Sequence, residues 1–308
     1  MKILYFFESI RRPFLDGLMS ILTKLGEETV FIALAILIFW CFDKKQGYFL
    51  IVVGFIGTFI NQFLKMLFRI PRPWIKDPNF TIVESAREHA TGYSFPSGHT
   101  QSAVGNFGAI ALSTKTKWVR ILCIVLAVLV PITRLYLGVH TLLDVGVSVL
   151  VALALIFGLY PLVLKSDKNP IIMPIIFICS FTFGLFVLLF LTLNIFPAGV
   201  DSDNLESAIE NVSKLVGAFL GVIVSYFVEK KYINFDTKAP LLVQVLKVAI
   251  GLGLIVLIKG VIKTPLNAVF GLVFGNGIRY FIVIILGVLV WPLTFKPLTK
   301  LYNKIFKK

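Results

Sequence analysis

The chain has 308 residues, 57% of them hydrophobic and only 15% charged, with a mean hydropathy of +0.91. Soluble chains are about 25% charged, and 29 Phe cannot all be hidden in a particle of 34.4 kDa. This composition excludes a disordered chain, a secreted disulfide scaffold and a conventional nucleic-acid binder. The net charge of +14 (30 Lys+Arg against 16 Asp+Glu) is therefore read against a lipid bilayer, and no nucleic-acid partner is expected. Cys41, Cys123 and Cys179 lie in apolar runs without metal-ligand or paired spacing and read as packing residues.

Taken in chain order, residues 1–26 alternate Phe6, Phe7, Ile10, Phe14, Leu18 and Ile21 with Glu8, Arg11, Arg12, Asp16 and Lys24. That periodicity predicts an amphipathic helical segment lying in the membrane interface. Charges interrupt every apolar stretch and no small-residue cleavage site follows, so it does not read as a signal peptide. A spanning helix needs about 20 mostly apolar residues. Runs that suit one fall near 28–42, 47–68, 99–114, 118–136, 141–164, 171–195, 212–228, 240–258 and 279–294. The expectation is an all-α polytopic membrane protein with about nine spans. The chain divides near 166–170, giving an interfacial segment over 1–26, a core over 27–168 and additional spans over 169–308.

The loops sort by charge. Lys44–Lys45, Lys115/Lys117/Arg120, Lys165/Lys168, Lys230/Lys231/Lys238 and the tail Lys296, Lys300, Lys304, Lys307 and Lys308 alternate with the spans and hold half of all cations. By the positive-inside rule they are cytoplasmic, and so is the C-terminus. The loop 69–98, the turn at Gly138 and the acidic stretch Asp201, Asp203, Glu206, Glu210 then face the other side.

Three segments on that outer face break the apolar pattern: Lys65-x6-Arg72-Pro73, Phe95-Pro96-Ser97-Gly98-His99, and Arg134-x5-His140-x3-Asp144. Lys65, Arg72 and Arg134 are three cations without a balancing carboxylate cluster. Arginine forks match phosphate oxygens bidentately and lysine adds a point charge. Ser97 is suited to cap the following helix, whose free N–H groups and dipole favour an anion, and Gly98 lets the backbone approach closely. Asp144 lies four residues after His140, hence on the same helical face, where it can orient the ring and leave the other nitrogen basic. His99 can protonate a leaving alkoxide and later deprotonate water. Each residue alone has a plain structural reading: a snorkelling lysine, headgroup-anchoring arginines, a capped helix start, a polar pair. Their convergence on one face argues for a phosphate site.

The pattern K-x6-R-P, then P-S-G-H, then R-x5-H-x3-D resembles the type 2 phosphatidic acid phosphatase (PAP2) superfamily of lipid phosphate phosphatases. The resemblance covers roughly residues 28–165, and Thr133 stands where the third motif commonly opens with Ser. It implies a six-helix core, so that the opening segment joins five spans and about four further spans follow. It also implies a metal-independent mechanism without cofactor, passing through a phosphohistidine. Carried over, His140 is the nucleophile, Asp144 its orienter and His99 the general acid. Lys65, Arg72, Ser97, Gly98 and Arg134 hold the phosphoryl oxygens, and no residue is expected to bind metal. The implied partners are the bilayer and a membrane lipid phosphate: undecaprenyl diphosphate, phosphatidylglycerol phosphate or phosphatidic acid. The loop 74–95 is the expected headgroup reader. A lipid phosphotransferase using the same site is the alternative. A transporter fits less well, because Asn61, Gln62 and Asn106 are the only midspan amides of the first five spans. The spans after 170 show no charged constellation, and Lys247, Lys259 and Lys263 read as interface anchors.

Overall fold

The computed structural model describes residues 1–306 except 89, 194 and 196–198, and every regular element among the described residues is helical. The opening segment is two helices, α1 (Lys2–Ser9) and α2 (Pro13–Thr23), followed by a 3-10 turn at Lys24–Gly26. The break falls where Arg12 is extended and Pro13 takes the first helical position, where its fixed φ and missing N–H cost nothing. Eight and eleven residues are too few to cross a bilayer, so neither helix can serve as a sixth span.

Eleven further helices follow: α3 (Glu28–Cys41), α4 (Lys44–Phe68), the short α5 (Pro73–Lys76), α6 (Gly98–Ser113), α7 (Lys117–Tyr136), α8 (Leu142–Lys165), α9 (Ile172–Thr192), α10 (Ser202–Val228), α11 (Leu241–Val261), α12 (Lys263–Ile285) and α13 (Phe295–Phe306). Helical runs built on α4, α7, α8, α9, α10, α11 and α12 are long and apolar enough to span, which makes seven among the described residues against the nine expected. The two that fall short are α3, with 14 residues, and α6, with 16. At 1.5 Å per residue they reach about 21 and about 24 Å, short of a ~30 Å hydrocarbon core. Helix α6 also buries Thr100, Gln101 and Asn106, so it faces protein rather than lipid. The spanning helices expose apolar side chains such as Trp118, Leu150, Phe157, Val256 and Leu257, as helices solvated by lipid do.

The chain forms two compact units. The first comprises residues 1–32, 49–167 and 193–208. In it α6 packs along α7 and α8, and α1, α2 and the 24–26 turn pack on α7. A small apolar core of Leu4, Phe80, Ile82, Leu135 and Val145 joins the opening helix, the 77–83 loop and the α7–α8 corner. That corner turns through Gly138 at φ 80°, where a Cβ would also strike the Phe80 ring and the Arg11 guanidinium. Arg11 ties the same corner down, donating to the carbonyls of Tyr136 and Thr81, while Asp16 accepts from the Tyr136 hydroxyl.

The second unit comprises residues 33–48, 168–192 and 209–308. Its interior is aromatic: Tyr48, Phe177 and Tyr226 meet edge to face, Trp40 Nε1 donates to the Gly287 carbonyl and Trp291 Nε1 to that of Lys247. Two expectations fail here. Lys247 is no interface anchor: it is fully buried, its ammonium 4.5 Å from the Phe295 ring centroid and 3.4 Å from the Asp236 carbonyl. The extra helices also hold polar constellations. Lys44 pairs with the buried Glu229 at 2.6 Å, and Glu210, Lys214, Asn276 and Arg279 gather between α10 and α12. The sequence hides both groups because their members stand one per turn or one per helix, far apart in the chain.

Candidate active site

All three motifs lie in the first unit, and backbone connections fix their relation. Helix α4 ends at Phe68, and Arg69 after it takes a left-handed φ of 49° two residues before Pro71. Pro71 cannot continue a helix, and the chain turns so that Ser94 N–H bonds the Ile70 carbonyl at 2.7 Å. The second motif joins the third through Ser97 N–H, which donates to the Asp144 carbonyl at 3.2 Å. Ser97 Oγ caps α6 by accepting from Thr100 N–H, as its position predicts. Asn61 reaches from α4 to the Pro96 carbonyl, so this midspan amide supports the loop.

Arg72 is the hub. Its guanidinium donates to the carbonyls of Gly92 (3.0 Å), Thr91 (2.6 Å) and Val139 (3.0 Å) and lies 3.0 Å from His140 Nε2. Guanidinium has no lone pair to offer, so in this contact Nε2 is the acceptor and the ring proton resides on Nδ1. Nδ1 points toward Asp144 Oδ2 at 3.6 Å, beyond hydrogen-bond length. The direct orienting bond expected between His140 and Asp144 is therefore not closed, and both His140 Nδ1 and Asp144 Oδ1 are buried without a partner among the described residues.

Asp144 is held by other groups. Its Oδ2 accepts from Ser94 Oγ at 2.6 Å and from Thr141 N–H at 2.7 Å, and Thr141 Oγ1 accepts from Asp144 N–H in return. Asp144 thus closes a capping box at the start of α8 while facing His140. The Thr141-x-x-Asp144 spacing carries that signal in the sequence; Ser94 carries none.

Arg134 is 1% exposed, with one guanidinium nitrogen on Thr23 Oγ1 at 2.8 Å and its Nε without a partner among the described residues. Lys65 Nζ bonds the Tyr93 carbonyl. His99, the second residue of α6, acts electrostatically on His140, and its carbonyl lies against Gly26 in the 24–26 turn. Around Gly98 a Cβ would meet only ordinary contact with Asn61, so the backbone is open to close approach. His140 is pushed well below the ordinary histidine value, by burial first and then by Arg72, Arg134, Lys65 and His99. The ring is held neutral with an available lone pair, as a nitrogen nucleophile requires.

An apolar groove of about 740 Å³ runs between α6, α7 and α8, lined by Leu135, Val145, Val149, Ile156 and Phe157 among others. Leu135 and Val145 are the chain neighbours of Arg134 and Asp144. The structure thus gathers cations, a neutral histidine and a buried carboxylate beside a slot fit for a hydrocarbon chain.

Comparison with known proteins agrees. Residues 46–168 match the model of the PAP2 superfamily, and residues 213–304 match that of the PAP2 superfamily phosphatase transmembrane extension. The chain is 36% identical over 134 residues to an undecaprenyl-diphosphatase of Sulfolobus acidocaldarius, covering 42% of this chain and 62% of that one. It is 32% identical over 151 residues to phosphatidylglycerophosphatase B of Bacillus subtilis, covering 44% and 69%. It is 25% identical over 210 residues to sphingosine-1-phosphate phosphatase 2 of Mus musculus, covering 66% and 56%. No solved structure matches.

Proposed function

Because this chain belongs to the PAP2 superfamily, we propose that it is an integral membrane phosphatase that hydrolyses lipid phosphates or diphosphates through a phosphohistidine on His140. The observation that carries the reading is the neutral His140 imidazole, its Nε2 beside the Arg72 guanidinium and its Nδ1 turned toward Asp144. In the first step Arg72 yields Nε2 and grips the phosphoryl group with Lys65, Arg134 and the first-turn N–H groups of α6 after Ser97 and Gly98. Nε2 attacks phosphorus, an N–P bond forms and the P–O bond to the lipid breaks. His99 gives its proton to the departing oxygen. In the second step His99 takes a proton from water, the hydroxide attacks phosphorus, the N–P bond breaks and inorganic phosphate leaves. The imidazole acquires positive charge as the N–P bond forms, and Asp144 closes onto Nδ1–H to balance it. The cations are fixed before reaction, so the charge-spread transition state is stabilised without reorganisation.

Relatives named for prenyl, glycerol and sphingoid lipids share only a terminal phosphate on a long hydrocarbon. Undecaprenyl diphosphate, phosphatidylglycerol phosphate and phosphatidic acid are accordingly the proposed substrate set, with the α6–α8 groove holding a tail. The positive-inside rule applied to the alternating cationic loops supports a reaction on the outer face of the membrane. The test is phosphate release from that panel by the purified protein. Release from at least one lipid, absent in His140→Ala, supports the reading. Transfer of phosphate to a second lipid without release to water identifies a phosphotransferase instead. Hydrolysis by His140→Ala at the parent rate refutes it.

A further inference from the structure

We propose that the second unit contains its own anion-binding site for a phosphate group, built by Arg279, Asn276 and Lys214 between α10 and α12. The site shares no residue with the reaction at His140. Arg279 is 3% exposed and Asn276 fully buried, both on α12. Asn276 Nδ2 donates to Glu210 Oε1 at 3.3 Å, and Lys214 pairs with the same carboxylate oxygen at 2.8 Å. One donor in this group, Arg279 Nε, has no partner among the described residues. A buried guanidinium nitrogen without an acceptor costs free energy that a structural helix contact does not demand, and ionisable groups inside spanning helices start with a functional reading.

The charge balance identifies the ligand class. Glu210 supplies one negative charge, while Lys214, Lys263 and Arg279 all act on it with positive charge, an excess of two cations. An acceptor-rich anion satisfies Arg279 Nε and that excess together, and the guanidinium fork matches phosphate geometry. The backbone gives the site its shape. At Gly271 the helix breaks with φ 73° and ψ 175°, and the chain returns so closely that a Cβ on Gly275 would lie 2.6 Å from Asn267 Oδ1. That reversal presents Asn276 and Arg279 to α10. A phosphate at this place comes from a phospholipid headgroup or from free inorganic phosphate, and the chemistry of recognition is the same.

The test uses full-length protein in detergent with two probes. Phosphatidylglycerol, a phosphodiester without the terminal phosphate proposed to react at His140, is followed by native mass spectrometry; inorganic phosphate is followed by calorimetry. Arg279→Gln should weaken the relevant probe ~10- to ~100-fold, the scale of a charge-assisted hydrogen bond, while Arg72→Gln, which cripples the other site, retains it. Loss confined to the lipid arm identifies a headgroup site, and loss confined to the phosphate arm a free-anion site. Should Arg279→Gln fail to fold, Arg279→Lys keeps the charge without the fork and must bind more weakly at unchanged melting temperature. Unchanged binding of both probes in these variants overturns the proposal. So does an Arg279→Met protein that melts higher and binds both as before, since that makes Arg279 a structural charge only.

Discussion

As the proposed nucleophile, His140 meets two opposed requirements: it must be neutral, yet its pocket must be cationic enough to draw phosphate. Burial and the surrounding cations keep its folded-state value well below the ordinary one. An unfolded histidine binds its proton below about pH 6.5 and the folded ring does not, so His140 withdraws stability as pH falls below that value. Arg72→Gln removes one of these cations and should move the His140 titration upward, toward but not reaching the ordinary value, because burial remains. A nitrogen-15 NMR titration of the ring reads this, and an unmoved or lowered value contradicts it. Asp144 has two jobs that can be separated. Asp144→Asn keeps an oxygen for the Thr141 N–H but loses the charge that balances the imidazolium, so kcat should fall steeply with melting little changed. Asp144→Ala loses the cap as well and should cost about 1 kcal/mol more in stability. The residues proposed to bind and attack phosphate were legible as motifs because phosphate chemistry restricts residue type and spacing together. Ser94 and Thr23 were not, since a hydroxyl supporting a carboxylate or a guanidinium from another element has no fixed spacing to it.

At the level of elements, the helices were legible and their lengths were less so. Apolar runs locate α4, α7, α8, α9 and α11 closely, because a bilayer demands long uninterrupted hydrocarbon, whereas α10 starts at Ser202 rather than 212 and α12 covers Lys263–Ile285 rather than 279–294. Helix α6 read as a span because its alanines and glycines score as apolar, whereas its buried Gln101 and Asn106 show that it packs inside protein. The helical character of the opening segment was legible in its periodicity, but the Arg12-Pro13 break and its attachment to the 77–83 loop depend on long-range contacts such as Arg11 to Thr81. One of those contacts bears on catalysis. A Cβ on Gly26 would stand 2.7 Å from the His99 carbonyl and 2.9 Å from Val130, so Gly26→Ala should push the first turn of α6 and His99 with it. Displacements on the ångström scale cost up to ~100-fold in rate. The expected result is a kcat loss of about 10- to 100-fold at nearly constant KM, and full activity contradicts the proposed placement.

Over the whole molecule, the charge pattern motivates a proposed orientation. The net charge of +14 first suggests an acidic partner, but half of the cations fall in alternate loops and others sit in the proposed phosphate pocket or in the Arg279 cluster. Single cysteines in a Cys-free background report the sidedness: one replacing Asn79 should react with an impermeant maleimide added outside cells, and one replacing Lys304 only after permeabilisation. The reverse labelling contradicts the topology. The central claim, covalent catalysis by His140, is tested most directly by trapping. A His99→Ala protein, slowed in the hydrolytic step, is mixed with the best lipid of the panel, quenched in alkali and digested for mass spectrometry. The expected result is a phosphoryl group on Nε2 of His140, absent when His140→Ala is added. Phosphate found on another residue, or phosphate release by the His140→Ala protein at the parent rate, contradicts it.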